Sequence, residues 1–124
     1  MPHLTIQATP NISIPHAESL LKTLNKALWD SGHFNKATDI KARILPVDTF
    51  LVGVEDDEQT QGFIYAQLKL MPGRDATIRD SLAQLLLQSI EDKLAAAQSG
   101  RTQLQICVEV EELSAIYHKK IMGR

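Results

Sequence analysis

The sequence contains one cysteine, Cys107. A single thiol excludes an internal disulfide framework and fits a reducing, cytosolic setting. The chain also lacks a dominant charge. Thirteen Lys and Arg stand against 15 Asp and Glu, for a net charge of -2 at pH 7. Nothing in that balance points to nucleic acid or an anionic membrane as a partner. No apolar run approaches the length that crosses a bilayer, and no charged region followed by an apolar stretch opens the chain, so neither a membrane span nor a secretory leader is expected. The four histidines, His3, His16, His33 and His118, are scattered without metal-ligand spacing, and none is assigned to a metal. There is no glycine-rich phosphate loop and no G-x-S-x-G elbow. What remains is 124 residues, 44% hydrophobic and 23% charged, enough for one domain with a real core.

The pattern of that domain is read along the chain. His3 to Ala8 alternates, with Leu4, Ile6 and Ala8 on one face, and reads as a strand. Thr9-Pro10-Asn11 is turn chemistry, Ser13 is a candidate N-cap, and Pro15 suits a first helical turn. Ala17, Leu20, Leu21, Leu24 and Leu28 then form one helical stripe, closed by Ser31-Gly32. A second strand is expected from about Asp39 to Phe50, with its ladder interrupted or bulged at Pro46. The acidic segment Val52 to Gln61 reads as a surface connector.

After the connector the pattern starts again. Gly62 to Leu70 is a strand, Met71-Pro72-Gly73 a turn, and Ile78, Leu82, Leu85, Leu86, Ile90 and Leu94 stripe a helix running from about Asp75 to Gln98. Leu104 to Val110 is a final strand, where Cys107 is expected to be a core residue. The tail from Leu113 to Arg124 is mixed, with room for a short helix. Two β-α-β units, about 1–52 and 62–112, therefore follow one another in a single domain over 1–124. The expected fold is α+β, a two-layer α/β tandem β-α-β repeat whose four-stranded sheet carries both helices on one face. The uncovered face holds Tyr65 and Gln67 but also Leu45, Val47 and Phe63, which predicts oligomerisation.

Four residues are candidates for chemistry. Pro2 opens the first strand directly after Met1. Once Met1 is removed, Pro2 presents a free secondary amine. Burial and nearby cations lower the pKa of such an amine toward the range that proton transfer requires. Proline at the start of a strand is also structurally routine. Lys41 and Arg43 lie two apart, on the face opposite Ile40, Ala42 and Ile44, and could grip an anion. On spacing alone a solvated strand face is the better account of them. Arg74 precedes the second helix, whose N-terminus favours anions. Taken alone, it also suits a surface pair with Asp75 or Asp80.

In order and spacing, the Pro2-His3 start, Ile40-Lys41-Ala42-Arg43, Val47-Asp48-Thr49-Phe50, Gly73-Arg74 and Val108-Glu109-Val110-Glu111-Glu112-Leu113 resemble the 5-carboxymethyl-2-hydroxymuconate delta-isomerase family of the tautomerase superfamily. The resemblance covers nearly the whole chain, except about the last ten residues. It implies a homotrimer whose open sheet faces pack around a central axis, and a proton shift without metal or organic cofactor. It implies that Pro2 is the acid/base and that Arg74, with Lys41 and Arg43, holds substrate carboxylates. Lys41 stands where the family pattern has arginine, keeping the charge but losing the fork geometry. Two alternatives remain open: a tautomerase with another enol substrate, or a non-catalytic trimeric small-ligand-binding protein of the same fold.

Overall fold

The computed structural model describes residues 1–55, 60–98, 100 and 102–123. Asp56, Asp57 and Glu58 of the acidic connector, and Arg124, lie outside the described residues.

Four strands and two helices form: β1 (His3–Ala8), α1 (Ala17–Asp30), β2 (Lys41–Pro46), β3 (Gln61–Leu70), α2 (Ala76–Leu94) and β4 (Gln103–Glu112). The sheet order is β2-β1-β3-β4. β1 is parallel to β2 and β3 is parallel to β4, as a helical crossover requires. The two halves join through the antiparallel pair β1 and β3, with His3 opposite Lys69 and Ala8 opposite Ile64. The result is an α+β fold built from a repeated β-α-β unit.

Alternation decides which face is covered. Leu4 and Ile6 of β1, and Ile64, Ala66 and Leu68 of β3, are fully buried in one cluster with Leu20, Leu24 and Leu28 of α1 and Leu82, Leu86 and Ile90 of α2. Both helices therefore share one face of the sheet. Each such leucine or isoleucine contributes roughly 1.5–3 kcal/mol relative to full exposure. Among the described residues, no helix is long and apolar enough to cross a membrane.

Several local expectations need correction. α1 is not capped by Ser13. It starts two residues beyond Pro15, and its N-cap is His16 in the left-handed region at φ 57° with no side-chain cap bond. Ser13 instead exchanges hydrogen bonds with Gln98: its N–H donates to Oε1 and its carbonyl accepts from Nε2. β2 stops at Pro46, short of Phe50, although the Val47 N–H still donates to the Ala8 carbonyl. β2 is an edge strand, where a residue without an N–H is tolerated. α2 gives way after Leu94 to a 3-10 turn over Ala95–Ala97. Cys107 is exposed, because Leu104, Ile106 and Val108 take the core side of β4 and leave Cys107 beside Tyr65 on the open face. Residues 113–123 form no helix.

Candidate active site

The sheet topology gathers the site at one end. β1 and β2 are parallel, so their starts coincide, and the Lys41 N–H donates to the Pro2 carbonyl at 3.1 Å. β3 is antiparallel to β1, so its end arrives at the same edge, and the chain turns there through Met71-Pro72-Gly73 into Arg74. Gly73 sits at φ 124°, a conformation other residues rarely adopt. Asp75 then caps α2, its carboxylate accepting from the Ile78 N–H at 2.9 Å. This cap holds the backbone next to Arg74 in place.

Pro2 is buried, and it shares a cavity of about 190 Å³ with Arg74, Phe34, Asn35, Asp39 and Met71. The Arg74 guanidinium lies 5.1 Å from the centre of the Phe34 ring and donates to the His33 carbonyl at 2.7 Å. Stacking and one hydrogen bond fix its plane. Among the described residues, no carboxylate forms an ion pair with it.

The terminal amine, here that of Met1 next to Pro2, is the centre of a charged cluster. It lies 3.9 Å from Asp39 Oδ2, while Lys119 Nζ lies 2.9 Å from Asp39 Oδ1. Burial lowers the pKa of the amine most. Lys41, Lys119 and Arg74 push in the same direction, and Asp39 opposes them. The Asp39 carboxyl is held below the usual carboxylate range, chiefly by its bond from Lys119 and then by the nearby terminal amine.

Lys41 and Arg43 do share a face, but neither lines the cavity. Lys41 Nζ donates to the Asp39 carbonyl at 2.7 Å, beside the site. Arg43 lies on the open face of the sheet and donates to His3 Nδ1 at 3.0 Å and to Thr5 Oγ1 at 3.4 Å. A nitrogen that accepts from arginine carries no proton. His3 Nε2 is therefore the protonated atom and donates to the Tyr117 hydroxyl at 2.8 Å. Burial first, then Arg43 and Lys41, lowers the His3 pKa and favours this neutral ring. Further along the open face, the Tyr65 hydroxyl and the Gln67 amide both donate to Glu109, which pushes the Tyr65 pKa up to about 12. Among the described residues, no three His, Cys, Asp or Glu side chains cluster as a metal site.

A proline at the start of a central strand, sharing a cavity with a stacked arginine, is an arrangement that invites comparison with known proteins. The model of the family 5-carboxymethyl-2-hydroxymuconate isomerase matches residues 2–122. The chain belongs to this isomerase family. The match extends through the tail, including most of the residues that look least familiar in sequence. The fold is similar to a 5-carboxymethyl-2-hydroxymuconate isomerase from Deinococcus radiodurans, at 27% identity and TM-score 0.84 over 96% of this chain and 88% of that one. A 5-carboxymethyl-2-hydroxymuconate delta-isomerase matches at 15% identity and TM-score 0.80, over 98% and 89%. A fused wild-type 4-OT, a symmetric trimer, matches at 18% identity and TM-score 0.61, over 87% and 84%. No curated protein matches the sequence. The chain is thus an isomerase of the tautomerase superfamily.

Asp39, Phe34, Tyr117 and Lys119 were not candidates from sequence. Asp39 falls at the edge of the expected second strand, and the tail residues lie some 80 positions away from it in the chain. Among them, only Phe34, an aromatic residue just beyond the helix-closing Gly32, carried a local signal.

Proposed function

We propose that this isomerase moves a proton within 5-carboxymethyl-2-hydroxymuconate, or a similar unsaturated 2-hydroxy polycarboxylate, in cytosolic aromatic catabolism. Pro2, freed by removal of Met1, is the general acid/base. Its amine takes the enol proton and returns it to a distant carbon of the conjugated chain, so the product is the unsaturated ketone and no atom is gained or lost. Arg74 pairs with a substrate carboxylate through its fork of N–H donors. Negative charge builds on the 2-oxygen as the proton leaves, and the surrounding cations stabilise it more strongly than they stabilise the ground state. Lys41 and Arg43 add to that positive field. A homotrimer completes the assembly, with the open sheet faces turned inward.

The observation that carries this reading is the shared cavity of Pro2 and Arg74 in a chain of this family. A second reading, another enol as substrate, is favoured by Lys41, whose ammonium is bound to the Asp39 carbonyl. The test is loss of the dienol ultraviolet absorbance of 5-carboxymethyl-2-hydroxymuconate with protein whose intact mass shows Met1 removed. Decay well above the buffer rate supports the first reading. Decay only with other enols supports the second, and no decay with any enol leaves the binding-protein alternative.

A further inference from the structure

We propose that Lys119, carried by the C-terminal tail, is a specificity-determining residue that binds the substrate carboxylate distal to Arg74. The inference rests on the proton-shift reading above and adds to it the site's preference for substrates with two or more carboxylates.

The tail is attached to the site at several points. It leaves β4 with the Leu113 N–H donating to the Leu70 carbonyl at 2.6 Å, next to Met71 of the Pro2 cavity. Tyr117 then bonds His3, the residue after Pro2, and packs edge-on against its ring at 5.8 Å. Alternate residues Tyr117, Lys119 and Ile121 line a second cavity of about 460 Å³, whose other wall is Met1 and Met71. Met1 and Met71 also line the cavity of Pro2 and Arg74. The two cavities therefore adjoin at the terminal residue, and removing Met1 opens one into the other. Arg74 lines the one and Lys119 the other, and Pro2 lines the first beside Met1. Ile121 and Met71 supply apolar wall for an unsaturated carbon chain.

Lys119 already grips a carboxylate in this structure. Asp39 Oδ1 lies 2.9 Å from its ammonium, and the other oxygen faces the terminal amine at 3.9 Å. Asp39 shows that a carboxylate fits between the tail lysine and the amine that ends the chain, here that of Met1; with Met1 removed, a substrate carboxylate would take the same place on Lys119, beside Pro2. The lysine and aspartate side chains are 25% and 22% exposed, so solvent, and with it a substrate carboxylate, can reach the ammonium. Lys41, Lys119 and Arg74 all act on the terminal amine, against Asp39 alone as an anion. That excess of positive charge suits a ligand with more than one carboxylate.

The test compares wild-type, Lys119→Met and Lys119→Arg proteins, all with Met1 removed. The probes are 2-hydroxymuconate, a dicarboxylate enol, and the enol of phenylpyruvate, a monocarboxylate. Losing one charge-assisted contact should raise the dicarboxylate KM roughly tenfold or more in Lys119→Met. At a pH above the titration of the Pro2 amine, the kcat and the monocarboxylate kcat/KM should stay within about twofold, with Lys119→Arg restoring the KM. Thermal midpoints measured alongside show whether the tail substitution disturbs the fold, and the arginine variant separates loss of charge from loss of structure. Equal losses on both enols, or no change on either, overturn the inference while the wild-type activity keeps the proton-shift reading. Wild-type protein inert on both enols overturns that reading and this inference with it.

Discussion

Arg74 shows how a single residue acquires a role from its neighbours. Phe34 beneath it and the His33 carbonyl beside it hold the guanidinium against the Pro2 cavity. Arg74→Ala should cost about 1.5–3 kcal/mol of transition-state stabilisation, roughly 10- to 150-fold in kcat/KM, measured by steady-state kinetics on the dicarboxylate enol. Arg74→Lys should lose less, because charge remains while the fork is lost. Asp39 acts in the opposite sense: its carboxylate raises the pKa of the Met1 amine, and because it lines the Pro2 cavity it should raise that of the Pro2 amine once Met1 is removed. The amine works as a base only when unprotonated, so activity falls below its pKa. Asp39→Asn removes the raising effect and should move the acid limb of the kcat/KM profile to lower pH. A limb that stays put or moves upward would show that Asp39 does not act on the amine. Pro2 and Arg74 were singled out in sequence, each by a local motif, and the structure places both on one cavity. Asp39 and Lys119 were not, because their roles arise from contacts between segments far apart in the chain.

At the scale of elements, the strand and helix pattern was largely legible, since period-two and helical apolar stripes each survive in a single sequence. Leu4 and Ile6 are fully buried as their alternation requires, and Leu20, Leu24 and Leu28 form the inner stripe of α1. The ends were less legible because tertiary contacts set them. Gln98, reaching across from the end of α2, takes the hydrogen bonds of Ser13 that a helix cap would have used. Pro46 ends β2 in an exposed edge position that no local pattern distinguishes from a bulge. The start of β3 carries a sharper constraint. A Cβ at Gly62 would lie 2.6 Å from Ile12 Cγ2, 2.8 Å from Asn11 Oδ1 and 2.9 Å from Thr9 Oγ1. Gly62→Ala should therefore destabilise the fold by about 1–3 kcal/mol, read as a lower urea midpoint with unchanged slope.

For the whole molecule, one face of the sheet is sealed by both helices and the other is open. On the open face Arg43, His3 and Tyr117 are linked at one end, and Tyr65, Gln67 and Glu109 form a second polar group. Leu45 is 46% exposed on the same face, and Phe50 packs edge-on against Phe63 nearby. A half-apolar face with ordered polar groups suits packing against further copies of the chain. Light scattering on the purified protein should give three times the 13.8 kDa mass of the chain. Leu45→Glu, which places a charge on that face, should shift the mass toward the single chain. A wild-type monomer would argue against the trimer.

The proton-transfer role of Pro2 is tested most directly by kinetics of Pro2→Ala, with Met1 removal verified by intact mass for both variant and wild type. Alanine keeps a primary amine at the same place but loses the ring and the secondary nitrogen. General acid–base catalysis of this kind contributes about 10²- to 10⁴-fold, so kcat on 5-carboxymethyl-2-hydroxymuconate should fall by about two orders of magnitude or more while KM changes little. A variant with full activity would contradict the assignment of Pro2 as the proton carrier.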